Sequence, residues 1–190
     1  MMNRGCFRYS FISKLKNILM PDYIMMYLKT MRKLSYHSHN SSILSKFLRC
    51  YYLIRYYKLG VKLSFNIGYD SCGYGLVIPH YGSLGVGASN RLGNYCVIHT
   101  LTSITDNAKV IGDALYLSKG SIITSKITLG NNISVGANSV VNKSFDLNNT
   151  MIAGCPASVI KETMPWYLKD GAVYKNRVEE VEKLKIKMNI

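Results

Sequence analysis

Acidic residues are scarce in the first third of this 190-residue chain, where residues 1–62 hold only Asp22 against twelve Lys and Arg, a net of +11. The middle is nearly neutral, with five basic and four acidic residues over 63–160, and 161–190 adds the last +2 of the total +14. Long hydrophobic runs are missing too. No stretch approaches the ~20 apolar residues that a bilayer-crossing helix needs. The N-terminus is basic, but Lys14 and Lys16 interrupt any hydrophobic stretch there, which argues against a signal peptide. The five cysteines, Cys6, Cys50, Cys72, Cys96 and Cys155, are odd in number and form no CxxC or Cys/His pairing at zinc-site spacing. These absences point to a cytoplasmic protein with reduced thiols and no metal. No nucleic-acid-binding motif accompanies the charge, so no nucleic-acid partner is expected. A basic helical face rich in Tyr (Tyr9, Tyr23, Tyr27, Tyr51, Tyr52, Tyr56, Tyr57) suits an anionic membrane surface or an acidic sugar. It would place the protein peripherally at the inner face of the membrane. The same composition also describes a solvated helical surface.

What the chain does have is a six-residue beat. Aliphatic residues recur at Val86, Leu92, Ile98 and Ile104, slip by one, and resume at Ile111, Leu117, Ile123, Leu129, Val135 and Val141. Glycine follows directly at Gly87, Gly93, Gly112, Gly130 and Gly136. A helix needs apolar spacing near 3.6 and a plain strand near 2, so neither explains six. Hexapeptide periodicity is the signature of a parallel β-helix, three short strands to a coil, with the aliphatic ladder filling a narrow core. The small residue after it suits a tight corner.

Three parts follow. Residues 1–62 form a basic helical segment. Phe11, Ile12, Leu15, Ile18 and Leu19 make one apolar stripe ending at Pro21. A second carries Ile24, Tyr27, Leu28 and Met31. A third carries Leu44, Phe47, Leu48, Tyr51 and Ile54, is capped by Ser41 or Ser42, and stops at Gly60. Residues 63–161 are the coil stack. Residues 162–190 are a helical tail, with Tyr174–Met188 as its helix.

The segment Gly75-Leu-Val-Ile-Pro-His-Tyr-Gly-Ser-Leu-Gly-Val86, the hexapeptide array and the closing Ile152-Ala-Gly-Cys-Pro-Ala-Ser-Val-Ile-Lys161 together resemble the hexapeptide acyltransferases. The likeness is greatest to serine acetyltransferase and to related enzymes of surface-polysaccharide synthesis. The resemblance implies a left-handed parallel β-helix, an exception to the right-handed crossover rule. It also implies a homotrimer with sites between subunits, and acetyl-CoA as co-substrate along the coil edge. The partner at the other end of the reaction is a small hydroxyl-bearing acceptor.

A hydroxyl attacking a thioester must lose its proton as the bond forms, and imidazole is suited to take it. By resemblance His80 is the catalytic general base. His80 lies six residues before Val86, in phase with the inward ladder, so reaching substrate requires an irregular first coil, which Pro79 favours. His99 follows Ile98 where the repeat wants a small residue, and either faces the site or fills a coil corner. On the acceptor side the family's aspartates are replaced. Pro79 precedes His80, and Asn66 aligns with a substrate-binding aspartate. Ala108 stands near the place of a second histidine. Asp70 is a substitute carboxylate near in sequence. On the acetyl-CoA side, Ala137 aligns with a position where the pantetheine arm needs a small side chain. Gly154, Pro156 and Ala157 match the closing loop, and Lys119 and Lys161 are placed to meet phosphates. Cys155 reads as a small apolar filler. Two acceptors remain open, L-serine and a sugar hydroxyl. A non-catalytic trimeric scaffold is the third reading.

Overall fold

The computed structural model describes residues 19–188. The apolar stripe Phe11–Ile18 and Cys6 lie outside the described residues. Helix α1 (Tyr23–Ser38) starts where the Asp22 carboxylate accepts from the Met25 N–H at 3.1 Å, and α2 (Ile43–Leu63) starts where Ser42 Oγ accepts from the Ser45 N–H. Gly60 does not end α2. The helix runs on to Leu63 and ends at Ser64 in the left-handed conformation (φ 59°). Gly60 is needed for close approach, since a Cβ there would lie 2.8 Å from the Phe65 carbonyl oxygen. The stripe assigned to α2 also differs from expectation. Ile24, Tyr27, Met31 and Leu34 of α1 and Leu59 and Leu63 of α2 are buried, but Leu44, Phe47, Tyr51 and Ile54 are exposed.

The coil stack has three faces. The first pairs β1 (Phe65–Ile67), β2 (Leu84–Val86), β5 (Thr102–Ile104), β8 (Ile122–Ile123) and β11 (Val140–Val141). The second pairs β3 (Arg91–Leu92), β6 (Val110–Ile111) and β9 (Thr128–Leu129), extended by bridges at Cys72 and Phe145. The third pairs β4 (Val97–Ile98), β7 (Tyr116–Leu117), β10 (Ser134–Val135) and β12 (Thr150–Gly154), with a bridge at Val77. All these pairings are parallel. β13 (Ala157–Glu162) turns back antiparallel on β12 through a loop with a cis Cys155–Pro156 bond. This is the parallel β-helix that the beat requires.

Each face contributes a column of buried side chains: Ile67, Val86, Ile104, Ile123 and Val141; Cys72, Leu92, Ile111, Leu129 and Phe145; Ile78, Ile98, Leu117, Val135 and Ile152. Burying one such side chain is worth roughly 1.5–3 kcal/mol, which makes these columns the main source of stability. Cys72 behaves as one more apolar residue, since burial pushes its thiol up to about 12.

The corner between the second and third faces shows what the glycines do. Gly93 and Gly112 do not adopt positive φ; the left-handed residues come two positions later, at Tyr95 (57°), Ala114 (56°) and Asn132 (57°). The glycines let successive coils touch. A Cβ on Gly93 would sit 2.7 Å from the Gly112 carbonyl carbon, and one on Gly112 would sit 2.7 Å from the Gly130 oxygen. Between glycine and left-handed residue stands an Asx ladder. The amides of Tyr74, Asn94, Asp113 and Asn131 donate in turn to Oδ1 of Asn94, Asp113, Asn131 and Asn148, at 3.1, 2.6, 2.8 and 2.7 Å. Asp113→Ala orphans the Asn94 N–H and is expected to cost about 1 kcal/mol. That corresponds to a thermal midpoint lower by about 2–4 °C. Asp113→Asn keeps the acceptor and should restore the midpoint.

After β13, α3 (Trp166–Lys169) and α4 (Ala172–Met188) fold over the third face. Buried Trp166 donates from Nε1 to the Tyr95 carbonyl at 2.7 Å. Glu182 accepts from the Tyr74 and Tyr95 hydroxyls and pairs with Lys185 at 3.3 Å. Among the described residues no helix is long and apolar enough to cross a membrane.

Candidate functional site

The irregular first coil expected around Pro79 is present, and it frees His80. Val77 bridges to Val97 and Ile98 N–H donates to Val77 O, so Ile78 aligns with Ile98 and takes the inward place. The next inward residues are Leu84 and Val86, and residues 79–83 bulge outward between Ile78 and Leu84. Gly82, at φ +134°, allows this link to bend. His80 is therefore exposed, out of phase with the ladder, at the corner between the third face and the first.

His99, one coil on, faces the same space. The two imidazole rings are 6.1 Å apart, and His99 Nε2 lies 2.9 Å from the Tyr116 hydroxyl. Burial holds Tyr116 above the usual tyrosine range, with Asp170 and Tyr174 adding to the effect. A protonated Tyr116 donating to Nε2 leaves the His99 proton on Nδ1. Burial first, then the neighbouring His80, lower the His99 pKa, and Asp170 at the end of α3 opposes them. Folded His99 thus releases its proton more readily than the unfolded chain does. Its contribution to stability rises with pH through the window from its lowered folded value to about 6.5. In an NMR titration the His99 midpoint is expected below the usual imidazole value. It should move upward in His80→Ala, which removes a neighbouring positive charge.

The other expected residues divide by corner. Down the edge that starts at His80, Leu101 N–H donates to Ser83 O (2.6 Å), Gly120 N–H to Thr100 O (3.2 Å) and Asn138 N–H to Lys119 O (3.0 Å). Lys119 and Ala137 are exposed along this edge. The closing loop meets its end, where the Gly154 N–H donates to Ser139 Oγ at 3.0 Å. Coils step by about 4.8 Å, so the loop lies roughly 19 Å along the axis from His80. Gly154 and Pro156 are exposed and Ala157 is buried; Lys161 is exposed on β13 opposite Met151. Cys155 is exposed, so it does not serve as an apolar filler. Asn66 points outward from β1 into a groove of about 450 Å³ on the first face, with Gly85, Ser103 and Asp106. Asp70 sits elsewhere, at the corner between the first and second faces, 3.8 Å from His39 Nε2. It is not part of the His80 cluster. Tyr116 and Asp170 were not singled out from the sequence, because nothing in the repeat connects a tail residue with a histidine 71 positions earlier. Among the described residues no cluster of His, Cys, Asp or Glu could hold a metal ion.

No family model matches the chain. Over 70 residues it is 39% identical to WbbJ of Escherichia coli (strain K12), named provisionally as a lipopolysaccharide biosynthesis O-acetyl transferase; the match spans 35% of each chain. Serine acetyltransferase (CysE) of Neisseria gonorrhoeae, solved in complex with serine, is similar in structure with a TM-score of 0.56 and 20% identity. That likeness covers 77% of this chain and 60% of the other. A serine acetyltransferase solved with CoA gives a TM-score of 0.51 at 15% identity, covering 76% and 60%. The chain thus spans about a third of the curated relative and about three fifths of these structural neighbours. It shares the hexapeptide-repeat solenoid fold of the serine acetyltransferases.

Proposed function

We propose that the chain is an acetyl-CoA-dependent O-acetyltransferase working as a homotrimer, with His80 as general base. The observation that carries this is the exposed His80 at the head of a solenoid edge, paired with His99 at 6.1 Å, leading through Ala137 to the closing loop. The fold shared with enzymes solved with serine and with CoA supports it. His80 takes the acceptor's hydroxyl proton as the oxygen attacks the thioester carbonyl, and then returns that proton to the departing thiolate. Backbone amides at the coil corner are the available donors to the developing oxyanion. Small residues at Ala137 and Gly154 leave room for the pantetheine arm, and exposed Lys119 and Lys161 offer charge to its phosphates.

The acceptor we favour is a sugar hydroxyl of a surface-polysaccharide precursor. An amino-acid acceptor needs a carboxylate for its ammonium group. Of the positions the resemblance assigns to the acceptor, Asn66 and Pro79 are neutral and Asp70 faces His39 at another corner; the carboxylate that acts on His99 is Asp170 of the tail, which acts on Tyr116 as well. The match to WbbJ points the same way. The test is release of CoA thiol from acetyl-CoA with L-serine and a panel of sugars as acceptors. Release with sugars alone supports this reading, whereas serine-dependent release replaces the acceptor with serine. No release together with no CoA binding reduces the chain to a scaffold.

A further inference from the structure

We propose that a groove between α1, the first coil and α4 binds a single-tailed amphiphilic anion, an alkyl chain ending in a phosphate or carboxylate. The groove encloses about 580 Å³, within the range of small-molecule sites. Its walls are apolar, from Met25 and Leu28 of α1, Leu76 of the coil and Val181 of α4. Its rim is cationic, with Lys29, Arg32, Lys33 and Lys185. Arg32 donates to the Cys72 and Gly73 carbonyls and Lys185 pairs with Glu182. Lys29 and Lys33, exposed and one turn apart on α1, are therefore the head-group ligands. Lys33 stands over the Tyr52 ring at 5.4 Å, and among the described residues Lys29 has no ion-pair partner.

Charge decides the occupant. Residues 1–18 carry Arg4, Arg8, Lys14 and Lys16 and no acid, so the chain's own N-terminal stripe would set four cations near a basic rim. A second copy meeting this groove through its own α1 would set Lys29 and Lys33 against the same cations. Tyr74 and Gly75 place the groove at the corner between the second and third faces, whereas His80 lies at the next corner. The site is thus separate from the proposed acetyl-transfer edge.

The test is calorimetric titration of the full chain with decyl phosphate below its micelle concentration. One saturable site per chain is expected, with affinity falling about tenfold or more in Lys29→Glu/Lys33→Glu as two charged contacts are lost. Val181→Asp, which puts a carboxylate on the apolar wall, should abolish binding while circular dichroism stays unchanged. Acetyl transfer should be unaffected by the lysine pair, so the two readings stand or fall separately. No saturable binding, equal affinity in the lysine variant, or equal affinity for neutral decyl glucoside would overturn the site. Association with anionic phosphatidylglycerol vesicles but not with the monomer would replace it with a membrane-binding surface.

Discussion

His80→Ala is expected to slow acetyl-CoA-dependent thiol release about 10²–10⁴-fold, the usual contribution of a positioned general base. That corresponds to about 3–5.5 kcal/mol in the barrier. The loss should fall on kcat, with CoA binding unchanged, because the CoA-side residues lie two to four coils further along the edge. Stability should also be unchanged, since His80 is exposed and the inward place belongs to Ile78. Removing the imidazole leaves the acceptor hydroxyl to attack without a proton acceptor, and His99 does not substitute. Its Nε2 is occupied by the Tyr116 hydroxyl at 2.9 Å, and burial discourages its charged form. A His80→Ala protein that turns over at the wild-type rate would remove His80 as base and leave the acetyl transfer to another group.

The solenoid was legible because its period is a property of the chain alone. Every coil must place an aliphatic residue inward, and the beat from Val86 to Val141 records it. The position of His80 was less legible. Counting back six from Val86 puts it inside, but the first coil steps twenty residues from Val77 to Val97, and the surplus leaves the ladder as a bulge. Pro79 signalled the irregularity but not its direction. The Asx ladder was missed because Asn94, Asp113, Asn131 and Asn148 look like ordinary turn residues until the coils are stacked. Helix α2 misled for a different reason. Its 3.6-period stripe is real, but amphipathicity says only that a helix has an apolar face. In this fold the contacts to the coil come through Leu59, Leu63 and Tyr56, whose hydroxyl reaches the Ile67 carbonyl. The His99–Tyr116–Asp170 grouping needed the tail to fold back over the third face, which no local pattern encodes.

Two glycine-to-alanine substitutions should move stability in opposite directions, which separates backbone freedom from coil spacing as the reason for glycine in the repeat. At Gly112 a Cβ would meet Asn131 Oδ1 at 2.5 Å and the Gly130 carbonyl at 2.7 Å. The backbone of the next coil cannot give way without parting the ladder on either side, including the Asp113–Asn131 rung at 2.8 Å. Gly112→Ala should cost about 2–3 kcal/mol as overpacking, lowering the thermal midpoint by about 4–12 °C. At Gly85 the nearest atom to an added Cβ is Ser103 Oγ at 3.8 Å, an ordinary contact. Gly85→Ala should therefore stabilise by about 0.4–1 kcal/mol, because alanine restricts the unfolded chain and strains nothing in the folded one. Paired thermal melts of the two variants check this directly. If both substitutions lower the midpoint equally, coil spacing is not what demands glycine at position 112. If only Gly112→Ala does, each Gly–Asx pair at this corner is there to bring one coil into contact with the next. That contact is compatible with the rise of about 4.8 Å that parallel strand pairing sets, and a side chain at Gly112 is not.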